Sequence, residues 1–195
     1  MRATASDRRR AWRVGVGLSA LVGAIGVWLL ATRVFPYHSL NHDEAVYLQQ
    51  ASMLLEGRLF LSPPVDDVFR PWFFVRDGGN LYPKYAPVPA AVFALGDLFG
   101  GARLALAGVA AATVSLVALV GQELFDRSTG LVAAVFVLGS PLFLLDSAVF
   151  LPYAPTTMFN LTFFYCYLRA DRTNSLRWAA GAGAGIGLAF FARPY

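Results

Sequence analysis

Arg8-Arg9-Arg10-Ala11-Trp12-Arg13 runs directly into Val14-Gly15-Val16-Gly17-Leu18-Ser19-Ala20-Leu21-Val22-Gly23-Ala24-Ile25-Gly26-Val27-Trp28-Leu29-Leu30-Ala31-Thr32-Arg33-Val34. Only Ser19, Thr32 and Arg33 interrupt the apolar run, and about 20 such residues are what a helix needs to cross the hydrocarbon core of a bilayer. A secretory signal peptide also starts basic, but its apolar centre is shorter, about 7–15 residues, and ends at a small-residue cleavage site. This run ends in Arg33-Val34-Phe35-Pro36-Tyr37, so an uncleaved first span over residues 14–35 is expected. Arg2, Arg8, Arg9, Arg10 and Arg13 against Asp7 give the first stretch a charge of +4, five minus one. Clustered arginines of this kind keep an N-terminus cytoplasmic, while Arg33 can snorkel to the far interface.

The composition of the rest agrees. The 195 residues are 57% hydrophobic and 14% charged, with a mean hydropathy of +0.54, where soluble domains carry about 25% charge. Such a chain cannot coat a globule with charge. Disorder needs low hydrophobicity and high net charge and is excluded. Cys166 is the single cysteine, which excludes an intrachain disulfide scaffold and cysteine-built zinc sites. The +4 net charge sits at the start of the chain rather than across a face, so no nucleic-acid partner is expected. The partner is the lipid bilayer, and the fold class is all-α, a polytopic transmembrane bundle.

Residues 36–101 have another character. They carry seven acids (Asp43, Glu44, Glu56, Asp66, Asp67, Asp77, Asp97) and four bases (Arg58, Arg70, Arg76, Lys84), and read as a long non-cytoplasmic loop with interfacial helices. Asn41 to Glu56 is expected to be helical, with Asn41 as N-cap and Glu44 three residues on as in a capping box. Ala45, Leu48, Ser52 and Leu55 would share its apolar face, with Tyr47 at headgroup level. Residues 102–195 then hold four further apolar segments: Ala102–Gly121, Thr129 to about Phe150, Pro152–Leu168, and Trp178–Phe191. The turn Gln122–Ser128 and the arginines Arg169, Arg172 and Arg177 mark the cytoplasmic side. About five spans result. The last is short, and the sequence is expected to be the N-terminal part of a longer chain.

Two places could carry chemistry. Asp43 and Glu44 are adjacent carboxylates just outside the first span, where an acid can act as a general base or contact a divalent metal; acids in a first helical turn also simply stabilise the helix dipole. His42 beside them is a metal ligand or a solvated loop histidine. Lys84 is the only lysine against fifteen arginines and lies in Tyr82-Pro83-Lys84-Tyr85-Ala86-Pro87-Val88-Pro89, a proline-stiffened turn before an apolar stretch. A compact ammonium there suits a phosphate at headgroup depth. Gly181, Gly183, Gly185 and Gly187 lie inside an apolar helix with no preceding strand, so they read as close helix packing rather than a nucleotide loop. Asn160-Leu161-Thr162 matches a glycosylation acceptor inside an expected span, and Asp146 is an acid near the outer end of the third span.

In order, these pieces resemble the GT-C membrane glycosyltransferases, nearest to the protein O-mannosyltransferase and aminoarabinose transferase branch. The stretches that carry the resemblance are His42-Asp43-Glu44-Ala45-Val46-Tyr47, Tyr82-Pro83-Lys84-Tyr85-Ala86-Pro87, Ser140-Pro141-Leu142-Phe143 with Leu151-Pro152-Tyr153-Ala154-Pro155, and Ala192-Arg193-Pro194-Tyr195. The resemblance implies a polyprenyl-phosphate-linked sugar as donor, transfer on the non-cytoplasmic face of the cell membrane, and a protein, lipid or glycan acceptor. It puts the catalytic base on Asp43 with Glu44 as support or metal contact, and the donor phosphate on Lys84 with Arg193. Tyr82, Tyr85 and His42 would belong to a substrate loop. Many relatives have an acid at the third-to-fourth junction, where this chain has Tyr153, Ala154 and Pro155; no cofactor is required by the residues, and a divalent metal is left open. The competing reading is a non-enzymatic protein that binds a lipid phosphate, such as part of a transporter or flippase.

Overall fold

The computed structural model describes residues 5–62 and 71–193. Arg2, Asp66, Asp67, Arg70, Pro194 and Tyr195, which the sequence reading used, lie outside the described residues. Among the described residues eight helices and one short hairpin follow in order: α1 (Ala5–Arg33), α2 (Asp43–Leu55), β1 (Phe74–Asp77), β2 (Asn80–Pro83), α3 (Val88–Leu98), α4 (Ala102–Leu124), α5 (Arg127–Leu138), α6 (Pro141–Ser147), α7 (Tyr153–Thr173) and α8 (Leu176–Ala192). The all-α membrane class holds.

α1 buries a narrow stripe, Val16, Ser19, Gly23, Val27 and Ala31, while Leu18, Leu21, Val22, Ile25, Trp28 and Leu29 are exposed. A helix apolar on every side belongs in lipid, where its outward leucines need no cover. Among the described residues α1 and α4 are the two helices long and apolar enough to cross a membrane. The expected third span is not one straight helix. α5 and α6 are bent by 68° because Ser140 starts a new helix, its Oγ accepting from Phe143 N at 3.4 Å, and Pro141 follows at the first helical position without an N–H to continue α5. Taken as one broken span, the pair brings the number to three. The expected count of about five is therefore larger than the helices support by length and composition. α7 is long enough but carries Arg169, Asp171 and Arg172 in its last turns, and α8 has 17 residues.

Glycines set the closest helix crossings. A Cβ on Gly130 of α5 would stand 2.2 Å from the Ala118 carbonyl oxygen of α4, and one on Gly121 would stand 2.7 Å from Gly130 Cα. On α8, a Cβ at Gly185 would meet Phe163 N at 2.8 Å, and one at Gly181 would meet Cys166 Sγ at 3.1 Å. Gly183 and Gly187 face open space. Half of the glycine series is thus packing surface for α7, as small residues at four-residue spacing are in membranes.

The segment between α1 and α4 is compact and partly buried. Its hairpin pairs Phe74 with Pro83 and Asp77 with Asn80, closed by Gly78 and Gly79 with φ of 54° and 85°, the two positive angles a two-residue hairpin turn requires. Leu61 adds a further antiparallel bridge to Leu81 through two bonds of 2.8 Å. α2 starts one residue later than expected: Asn41 Oδ1 accepts from Asp43 N at 3.0 Å, and His42 rather than Asn41 is the N-cap. Its buried side is Glu44, Val46, Tyr47, Gln50, Ala51 and Met53, not the face through Ala45, Leu48, Ser52 and Leu55. Tyr47 is only 4% exposed. Instead of lying at headgroup level it stacks on Tyr85 at 5.0 Å and packs edge-on against Phe93. Phe93 of α3, fully buried, then meets Phe150 at 5.3 Å, so α2, α3 and the α6–α7 junction share one aromatic core with Val27, Ala31, Leu106 and Ala110.

Candidate active site

α7 and α8 are antiparallel neighbours, so the start of α7 and the end of α8 come to the same end of the bundle. α2 and the turn after β2 pack over that end. Between them lies a cavity of about 160 Å³ lined by Asp43, Tyr47, Lys84, Tyr85, Ala86, Leu151, Pro152, Tyr153, Ala192 and Arg193. Residues separated by up to 150 positions, one from each of four separate stretches of sequence, meet in this space.

Each is placed by a local device. Asp43 is the first residue of α2, fixed by the Asn41 turn, with its side chain 30% exposed and its Oδ1 3.9 Å from His42 Nε2. Lys84 follows β2. Its N–H donates to the Phe73 carbonyl at 2.8 Å, extending the hairpin ladder by one rung, and its Nζ stands 5.8 Å from the centroid of the Phe73 ring. Tyr85 is clamped from below, where Gln50 Nε2 donates to its carbonyl at 3.2 Å. Gln50 Oε1 is buried without a partner among the described residues. Arg193 lies just past α8, its guanidinium 4.5 Å from the centroid of the Tyr153 ring, a cation–π contact that holds the charge at the cavity wall.

Glu44 sits behind this cavity rather than in it. It is 1% exposed. One carboxylate oxygen accepts from Ser39 N at 2.8 Å and from Ser39 Oγ, and the other accepts from Phe150 N at 2.8 Å. Both oxygens are held in hydrogen bonds. The carboxylate ties the start of α2, which carries Asp43, to the junction that supplies Leu151, Pro152 and Tyr153. Buried charge is tolerable only when hydrogen-bonded in this way.

His42 and Tyr82 are not in the cavity lining. His42 stacks on Phe73 at 5.3 Å with a 2° interplanar angle, and Tyr82 packs edge-on against Phe60 at 6.0 Å. Of the expected substrate-loop residues only Tyr85 faces the space. Among the described residues no three His, Cys, Asp or Glu side chains come together as a metal cage. Tyr47, Pro152 and Tyr153 were not expected as lining. Asp146, at the end of α6, lines a separate cavity of about 230 Å³ with Ser140, Ser147, Tyr153 and Thr157, and Asn160 is bonded within α7, Nδ2 donating to the Thr156 carbonyl at 3.0 Å.

Two cations and one carboxylate leave the cavity with net positive charge at neutral pH. That balance suits an anionic group, such as a phosphate, placed beside a proton acceptor. No curated protein and no solved structure matches the chain. The family model described as dolichyl-phosphate-mannose-protein mannosyltransferase matches residues 85–195; Tyr85, the Leu151–Tyr153 wall and Arg193 fall inside that stretch, whereas Asp43 and Lys84 precede it. With more than half of its length in that match, the chain belongs to the dolichyl-phosphate-mannose-protein mannosyltransferase family of membrane glycosyltransferases.

Proposed function

We propose that the protein transfers a sugar from a polyprenyl-phosphate-linked donor to a hydroxyl acceptor at the non-cytoplasmic face of the cell membrane, and that the cavity of Asp43, Lys84 and Arg193 is where the bond is exchanged. The observation that carries this reading is the convergence of one carboxylate and two cations from three distant stretches on a single cavity of about 160 Å³.

The reaction needs three things. The acceptor hydroxyl must lose its proton as its oxygen bonds to the anomeric carbon, and Asp43 is the carboxylate available to take it. The bond between that carbon and the phosphate oxygen breaks with its electron pair passing to the phosphate. The departing polyprenyl phosphate therefore gains charge, and Lys84 and Arg193 are the cations positioned to offset it. Phosphate leaves without protonation, so no second carboxylic acid is required. Glu44 acts through position alone. A divalent ion, if one takes part, has no ready cage among the described residues, and the steps above use only the chain's own groups. The arginines at the opposite end (Arg8, Arg9, Arg10, Arg13, Arg127, Arg169, Arg172, Arg177) fit a cytoplasmic N-terminus, which supports an outer-side location for the cavity.

The test is transfer from radiolabelled polyprenyl-phosphate mannose in membranes expressing the gene that encodes this chain. Lys84→Ala and Arg193→Ala should each reduce transfer by at least tenfold, the order of one charge-assisted contact of about 1.5–3 kcal/mol. Transfer at the wild-type rate in both variants would remove the phosphate role from this cavity. Binding of the donor without any transfer by the wild type would favour the lipid-phosphate-binding reading.

A further inference from the structure

The end of the bundle opposite Asp43 holds a larger cavity, about 750 Å³, between the first turns of α1 and the α4–α5 turn. Its lining combines the polar Arg8, Arg9, Arg127 and Gln122 with the apolar Trp12 and Leu131. The site is built rather than incidental. Trp12 Nε1 donates to the Arg127 carbonyl at 2.9 Å, which pins α1 to the start of α5 and fixes the indole as a wall. Asp126, the one acid in the lining, already accepts from Thr129 N at 2.8 Å and from Ser128 Oγ at 2.6 Å as the N-cap of α5. Among the described residues none of Arg8, Arg9 and Arg127 has an ion-pair or hydrogen-bond partner for its guanidinium. Three arginines against one committed carboxylate leave a surplus of two positive charges (three minus one) in a cavity that also holds an indole and a leucine.

Surplus cations beside apolar side chains suit an amphiphile's headgroup region. We infer that this cavity binds the phosphate headgroup of an anionic glycerophospholipid, with the phosphate on the guanidinium groups of Arg8, Arg9 and Arg127 and the glycerol against Trp12 and Leu131. Guanidinium forks match phosphate oxygens two at a time, and basic recesses between membrane helices take lipid headgroups for this reason. The inference is independent of the sugar-transfer reading, since it uses none of the residues of the Asp43 cavity.

The experiment uses the whole chain in nanodiscs, with Trp28, Trp72 and Trp178 changed to Phe so that Trp12 is the only indole. Brominated phosphatidylglycerol and brominated phosphatidylcholine are compared as quenchers of Trp12. Phosphatidylglycerol should quench at a several-fold lower mole fraction. Arg127→Gln should reduce that preference about fivefold, the effect of one arginine on an anionic headgroup, whereas Arg13→Gln, the same charge change outside the cavity, should leave most of it. An unchanged helical circular dichroism spectrum checks that each variant is folded. Equal quenching by the two lipids would overturn the site, as would an equal loss of preference in the Arg13 and Arg127 variants. If millimolar inorganic phosphate abolishes the preference, the ligand is free phosphate and the lipid assignment fails.

Discussion

At the scale of single residues, Glu44 is the most informative side chain because its carboxylate bonds α2 to the α6–α7 junction. Its oxygens receive Ser39 N, Ser39 Oγ and Phe150 N, so Glu44→Gln turns an amide NH₂ toward groups that must donate. About 2 kcal/mol of stability should be lost, the order for hydrogen bonds to a buried charged group, and thermal unfolding in detergent measures it. Because the tether joins α2 to the α6–α7 junction, the same variant should also lower kcat more than it raises the KM for donor. A variant with wild-type stability would show that the carboxylate tethers nothing. Asp126 gives a pH dependence of known sign. Its bonds to Ser128 and to Thr129 N hold the carboxyl below the ordinary value of 3.8. A group depressed on folding stabilises the folded state above its unfolded pKa and loses that contribution as pH falls through the folded value. The contribution of Asp126 should therefore be complete at neutral pH and fade only below pH 3.8, and wild type and Asp126→Asn should converge in stability there. A difference that persisted undiminished in strong acid would contradict the cap.

At the scale of elements, the glycines separate into those in contact and those that are not. Gly185→Ala would press a methyl to within 2.8 Å of Phe163 N and should destabilise the α7–α8 pair by about 1–3 kcal/mol. Gly183→Ala meets nothing within 4 Å and should be neutral or slightly stabilising, since alanine is the better helix former. Equal effects of the two substitutions on thermal unfolding would contradict the packing. The long helices were legible because apolar runs of about 20 residues leave little choice of structure in a bilayer. The hairpin was not anticipated, although Asp77-Gly78-Gly79-Asn80 is a two-residue turn signal; its strands are four residues each and too short to show alternation. The bend at Ser140-Pro141 was also legible in principle, since a proline after a serine cap starts a helix, but the apolar residues on both sides disguise it as one span. The buried face of α2 is not legible from hydrophobicity alone. Glu44 and Gln50 are buried there by bonds to Phe150 N and the Tyr85 carbonyl, partners that lie 106 and 35 positions away and cannot be seen locally.

At the scale of the whole molecule, an antiparallel bundle separates two ends of different chemistry. One end gathers a carboxylate, a lysine and an arginine around a small cavity; the other collects most of the arginines and buries Glu123 between Arg169 and Arg172, at 3.2 and 3.0 Å. Glu123 is buried while Arg169 and Arg172 are partly exposed, so losing the carboxylate's bonds should cost about 1.5–3 kcal/mol, and Glu123→Gln should unfold at lower temperature than wild type while leaving donor recognition in the folded fraction unchanged. The motifs of the Asp43 cavity were visible one by one in the sequence, and their order carried the resemblance to glycosyltransferases, but only packing decides that Tyr47, Pro152 and Tyr153 complete its wall while His42 and Tyr82 face elsewhere. Asp43 as base is the central claim, and the Asp43→Asn variant tests it most directly. Donor binding and sugar transfer should be measured together in membranes, with equal amounts of folded protein. Loss of transfer by about 10²–10⁴-fold with donor binding retained is the predicted result; transfer at the wild-type rate would leave Asp43 as no more than an acid at a helix start, and the base would have to be sought elsewhere.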